Sequence, residues 1–346
     1  MIVRHQSNPI IEPGDVKPTT QGYKVVGSFN PGAINFGNEI ILLLRVAEAC
    51  EPKEGYVRTP ILRFENGTCY TDVMEFKSSD PEVDLTDTRC IVHRGQRYIS
   101  SISHIRLARS KDGINFHVEE KPFIFPADES EGYGVEDARV TFIDGSYHIN
   151  YTAISKDSWA TALAVTEDFQ SYERKGLIFH PENKDVAIFP EKVGGKYIAL
   201  HRPNNTEFGK PAIWYSESPD LLHWGNHKCV ARTRDNKWES SRIGGGAPPI
   251  KTSEGWLIIY HGCGDSSIYS LFCMLLDLKE PFRVLRRAST PLLTPTEPYE
   301  TEGFFGNVVF SNGIAEKNGM LYIYYGASDE TTNLAITDVD SLLRSF

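Results

Sequence analysis

The chain has 346 residues, 40% of them apolar and 24% charged, with a formal net charge of -10. That balance argues against nonspecific binding to nucleic acid or to an anionic membrane surface, yet leaves room for a local basic pocket for a small anion. No apolar run has the length of a leader or a membrane-spanning helix, and six dispersed cysteines lack metal-ligand spacing, so a reducing, cytoplasmic setting is expected.

With 28 glycines and 20 prolines, the chain favours tight turns over long helices. In chain order, the first strand signal is 40–44, which ends on Arg45. Segment 89–110 reads either as a separate unit or as an elaboration of the first. A glycine turn then precedes each of four further strands, at 147–151, 197–200, 256–260 and 321–325. Glycine supplies the positive φ that such hairpin turns need. A second strand follows at 163–165, 212–215 and 334–336, running into turns that contain Asp168, Asp220 and Asp338.

Multi-strand units recurring about every 50–65 residues point to an all-β chain of the β-propeller type. The arithmetic allows five or six units, with a β-sandwich plus a second β domain as the alternative. Three proline-flanked segments, 8–13, 122–126 and 291–295, resemble one another and read as outer strands. The N-terminal copy is placed to close the last unit.

Several strands end on polar residues: Arg45, His201 with Arg202, His261 and, just beyond 321–325, Asp329. One charge at a strand end is ordinarily a solvated boundary, but the repetition marks one end of the architecture as a polar pocket. Gly134 to Arg139 carries Asp137, which reads either as a turn with a local ion pair or as an acid able to protonate a leaving oxygen. Gly244-Gly245-Gly246 follows Arg242 but lacks the lysine and strand–loop–helix context of a nucleotide loop. It reads as a tight loop that places Arg242 in the channel. His148, His201 and His261 form no zinc motif, and no metal is expected.

At these residues the chain resembles glycoside hydrolase family 130, the β-mannoside phosphorylases and related β-mannosidases. The resemblance runs through Phe29-Asn30-Pro31-Gly32, Leu44-Arg45, 103–110, Gly134 to Arg139, His201-Arg202-Pro203, 243–249, Tyr260-His261-Gly262 and 325–329. It implies a five-bladed β-propeller with one catalytic domain over 1–346, and so favours 89–110 as part of an enlarged first blade. It places the general acid on Asp137 and phosphate ligands on Arg202, Arg242 and His261, with weaker sugar-binding assignments at Asn30, Arg45, Asp185 and Asp329. Where many relatives carry lysine, this chain has Arg242, which keeps the charge and changes the hydrogen-bond geometry.

The implied reaction is inverting phosphorolysis of β-1,2-mannobiose or short β-1,2-mannooligosaccharides, with inorganic phosphate as co-substrate and no cofactor. The expected partners are small mannosides and phosphate, and a homo-oligomer is compatible with the sequence. Two alternatives stay open: a β-1,4-mannoside phosphorylase, and a β-1,2-mannosidase that uses water. The hydrolase needs a carboxylate base, for which Glu239 and Glu302 are the candidates.

Overall fold

β-Branched and aromatic runs between glycine turns form antiparallel hairpins within each unit, and the computed structural model describes residues 2–65, 68–87, 89–204 and 207–346. The first unit pairs Tyr23–Phe36, Glu39–Cys50, Ile102–Ser110 and the short His117–Val118. The second runs Gly134–Ile143, Ser146–Ile154, Trp159–Thr166 and Glu173–Phe179, and joins the first through a single parallel pairing of Gly134 with Ser103. The third contains Asn183–Ile188, Tyr197–Pro203, Ile213–Ser218 and Gly225–Ala231.

Arg242–Gly245, Trp256–Cys263, Tyr269–Leu276 and Val284–Arg287 make the fourth unit, with Ile250–Lys251 also paired to its second strand. The last consists of Val309–Lys317, Met320–Ala327 and Thr331–Thr337, and the N-terminal Val3–Arg4 pairs on its open edge.

Segment 89–110 divides in two. Cys90–His93 and Gln96–Ile99 form a small sheet with Val83–Asp84, whereas Ile102–Ser110 lies beside Glu39–Cys50 in the first unit. That small sheet and the hairpin Tyr56–Glu65/Thr68–Lys77 are thus an excursion within the first unit.

The proline-flanked segments occupy matching places, but as single bridges: Ile124 to Ile105, Leu293 to Leu271 and Ile11 to Thr332. Proline lacks an N–H for a continuous ladder, which limits pairing there. The extended outer strands are His117–Val118, Val284–Arg287 and Val3–Arg4.

Each unit buries alternate residues against the unit before and the unit after it, as a period of two requires. In Trp256–Cys263, Ile258 and Tyr260 pack toward the third unit, while Leu257 and Ile259 pack toward the last. Further clusters join the first and second units, the second and third, and the last and first through Tyr324, Leu334 and Leu42. Burying one such aliphatic side chain contributes about 1.5–3 kcal/mol, so these seams hold the units in fixed positions around the polar residues between them. Among the described residues no helix is long and apolar enough to cross a membrane.

Candidate active site

The first strands of four units share one irregularity. Opposite a single residue of the neighbouring strand, Tyr23–Phe36 bulges between Phe29 and Gly32, and Gly134–Ile143 between Glu136 and Arg139. Asn183–Ile188 bulges between Lys184 and Ala187, and Val309–Lys317 between Phe310 and Gly313. A β-bulge re-aims side chains at the cost of local pairing. Asn30, Asp137 and Asp185 follow directly at φ of 48°, 51° and 54°, a left-handed region that Asn and Asp tolerate better than most residues.

The four residues that open these bulges, Phe29, Glu136, Lys184 and Phe310, line a cavity of about 270 Å³. All eight residues singled out in the sequence line it as well: Asn30, Arg45, Asp137, Asp185, Arg202, Arg242, His261 and Asp329. Five cations (Arg45, Arg89, Lys184, Arg202, Arg242) face four carboxylates (Glu136, Asp137, Asp185, Asp329) there.

Asp137 is 4% exposed. Its Oδ1 accepts from Asn30 Nδ2 at 3.0 Å and from an Arg45 guanidinium nitrogen at 3.3 Å. Arg45 also donates to Glu136 at 2.6 Å and to Ser103 Oγ at 3.0 Å, with its guanidinium 4.7 Å from the centre of the Phe29 ring. Burial pushes the Asp137 carboxyl up, but Arg45, Lys184, Arg139 and the Asn30 hydrogen bond outweigh it, and the net shift is downward. Asp137 is therefore an ionised carboxylate at neutral pH. Burial has the opposite net result at Asp329, where the repulsion of Asp137 and Glu136 adds to it and raises the carboxyl from 3.8 to about 6 despite Arg45 and Arg89.

Asp185 organises the basic side. Its Oδ2 accepts from Arg202 Nε at 2.5 Å and lies 3.4 Å from His261 Nε2, and its Oδ1 is 3.4 Å from Arg139. Burial would raise Asp185, but Arg202, Arg139 and Lys184 hold it well below the usual carboxylate range. The buried Arg139 also donates to the carbonyls of Asp137 at 2.9 Å and Gly245 at 3.0 Å, tying the acid's backbone to the glycine strand. His261 is 1% exposed; burial first, then Arg202, Arg139 and Lys184, push it down to about 3 despite Asp185. It is a neutral hydrogen-bonding group at physiological pH, and its Nδ1 is buried without a partner among the described residues. Arg242, in contrast, is exposed at the rim.

Arg242 begins the strand Arg242–Gly245 rather than sitting in a loop. The triple glycine is a close approach: a Cβ on Gly244 would strike Asp185 Oδ2 and the His261 ring. One on Gly246 would come within 2.7 Å of the Ile259 carbonyl oxygen. The candidate hydrolytic bases fall elsewhere. Glu239 is fully buried, accepting from Arg234, Tyr260 and Arg287, and Glu302 is an exposed residue outside the cavity. Lys184, Glu136 and Arg89 were not singled out in the sequence. The first two had a signal, since each immediately precedes an acidic residue inside a strand; Arg89 reaches the cavity from the excursion and had none. Among the described residues, Asp80, Glu82 and His93 approach one another closely enough for a metal ion. They lie outside the cavity, however, and Glu82 is already bonded to Arg94 at 2.7 Å.

An all-β scaffold with buried, paired charges around a small central cavity defines a binding or catalytic site for a small polar molecule. The family profile described as β-1,4-mannooligosaccharide phosphorylase matches residues 55–346. A β-1,2-mannobiose phosphorylase from Listeria innocua is 45% identical over 344 residues, covering 98% of this chain and 96% of that protein. A 1,2-β-oligomannan phosphorylase from Thermoanaerobacter is 41% identical over 249 residues, 71% of this chain and 82% of the other. The solved Listeria innocua β-1,2-mannobiose phosphorylase in complex with β-1,2-mannobiose superposes with a TM-score of 0.95 at 43% identity, covering 99% of this chain and 98% of that one. The chain belongs to glycoside hydrolase family 130.

Proposed function

We propose that this chain is an inverting glycoside phosphorylase that cleaves β-1,2-mannobiose and short β-1,2-mannooligosaccharides with inorganic phosphate. The observation that carries the reading is that Asp137 and the basic residues Arg202, Arg242 and His261 line one cavity. The names of the similar relatives point the same way. We place the site in a single five-bladed β-propeller domain. Support comes from the apolar seams between successive units and from the Val3–Arg4 pairing that links the chain's beginning to its last sheet.

In this reading Asn30, Arg45, Asp185 and Asp329 hold the mannosyl ring. Arg202 and Arg242 orient hydrogen phosphate by charge, and neutral His261 adds a hydrogen bond. A phosphate oxygen attacks the anomeric carbon on the face opposite the leaving sugar. The glycosidic C–O bond breaks, and Asp137 gives its proton to the leaving oxygen, directly or through a mannose hydroxyl. The products are α-mannose 1-phosphate and mannose or a shortened oligosaccharide, and the proton of hydrogen phosphate balances the one lost by Asp137. Because its neighbours favour the ionised form of Asp137, its protonation accompanies substrate binding. A phosphate dianion beside Arg202 and Arg242 offsets the positive field, and displacing water disfavours the carboxylate.

Hydrolysis requires an available carboxylate base opposite the acid. Glu239 and Glu302 are outside the cavity, Glu136 and Asp185 are bonded to Arg45 and Arg202, and the remaining cavity carboxylate, Asp329, is assigned to the mannosyl ring, which favours phosphate over water. The test of linkage and stereochemistry is a panel of β-1,2- and β-1,4-linked mannobiose in phosphate buffer, followed by NMR of the anomeric centre. The reading expects α-mannose 1-phosphate from the β-1,2 substrate. Faster turnover of the β-1,4 substrate, or a β-configured phosphate, contradicts it.

A further inference from the structure

Glu239 is a fully buried carboxylate for which the reaction has no use. It accepts from Arg234 Nε at 2.5 Å, from Tyr260 Oη at 2.6 Å and from Arg287 at 2.7 Å. Arg287 in turn donates to Tyr260 Oη at 2.9 Å and to the Arg232 carbonyl at 2.7 Å, and Arg234 donates to the Ala288 carbonyl at 2.6 Å. Burial pushes the carboxyl up, yet these hydrogen bonds and cations bring it down, so it stays charged.

Two candidate phosphate ligands flank this cluster. Arg242 lies three residues after Glu239, and His261 directly follows Tyr260. The intervening chain is fitted closely to the His261 strand: Ser241 N–H donates to the Cys263 carbonyl at 3.0 Å, and Arg242 pairs with Cys263. Gly262 has no side chain where a Cβ would lie 2.7 Å from Glu239 Cγ. Arg242 itself is exposed, so its placement depends on the backbone that carries it. Asp137, Asn30 and Arg45, on the mannosyl side, make no hydrogen bond to any member of the cluster.

We propose that Glu239 is a positioning residue for phosphate: by clamping the 234–242 segment to Tyr260 and Arg287 it sets the spacing of Arg242 from His261. The inference rests on the phosphorylase reading. It makes the two substrates respond differently to the same substitution, which a purely stabilising cluster would not do.

The experiment measures KM for phosphate and for β-1,2-mannobiose in Glu239→Gln, Tyr260→Phe, Arg242→Ala and the Glu239→Gln/Arg242→Ala double variant, with melting temperatures alongside. Glu239→Gln is expected to raise the phosphate KM about ten-fold and leave the mannobiose KM within about two-fold. Tyr260→Phe removes one hydroxyl and keeps the test alive if Glu239→Gln fails to fold; it is expected to raise the phosphate KM about three-fold. The double variant is expected to be scarcely worse than Arg242→Ala, because both changes remove one function. Equal shifts in both KM values, an unchanged phosphate KM in folded variants, or full additivity overturns the inference. Failure of the phosphorylase reading is distinct: the wild-type protein would then turn over at the same rate without phosphate.

Discussion

Asp137 and Asp329 share the field of one guanidinium, Arg45, and the geometry divides it unequally. Asp137 holds the direct contacts and is kept ionised; Asp329 is left to titrate near 6. The folded state thus binds a proton at Asp329 more tightly than the unfolded chain, so its contribution to stability is present at low pH and is lost as pH rises through about 6. Asp329→Asn, which cannot ionise, should gain melting temperature relative to wild type between pH 4 and pH 8. A difference that stays constant across that range would refute the assignment. At Asp137, replacement by Asn keeps the shape and removes the transferable proton, so kcat should fall by about 10²–10⁴-fold with the fold intact. Retention of wild-type kcat by Asp137→Asn would remove Asp137 from the acid role.

At the level of the strand, the site is made by bulges and by glycine. The alternation of apolar residues and the glycine turns were legible in the sequence, because a two-residue period and a positive φ leave local marks. The eight cavity residues were legible through the family resemblance, although Asp185 lies in none of its motifs. Lys184 and Glu136 carry a fainter mark: each is a charged residue followed by Asp near the start of a strand, where a bulge brings both to the cavity. Arg89 could not be read, since it reaches the cavity from an excursion whose position depends on tertiary packing. The triple glycine resembles a loop in sequence because its reason lies in neighbouring strands, in the approach of Asp185 and His261 to Gly244. Gly244→Ala should displace one of those side chains, costing about 1–3 kcal/mol of stability and at least about ten-fold in kcat/KM. Denaturant unfolding and steady-state kinetics measure both, and a neutral Gly244→Ala would show that the approach is not required.

Over the whole molecule, the beginning of the chain is fastened to its last sheet. Arg4 pairs beside Ala335 and donates to both oxygens of the buried Glu300 at 2.7 and 2.8 Å, and Tyr325 Oη donates to the same carboxylate. Arg4→Met leaves Glu300 with an uncompensated buried charge, and should lower unfolding free energy by on the order of 2 kcal/mol while the KM values hold. An unchanged melting curve would mean the fastening contributes nothing. The same scaffold brings Asp137 and the basic residues to one cavity, and the account stands on what that cavity uses as nucleophile. The most direct measurement is the initial rate of β-1,2-mannobiose consumption against phosphate concentration, with mannose 1-phosphate and free mannose counted together. The account predicts a rate that rises from near zero, saturates, and yields one mannose 1-phosphate for each mannobiose consumed. A rate independent of phosphate, with free mannose as the sole product, would contradict it.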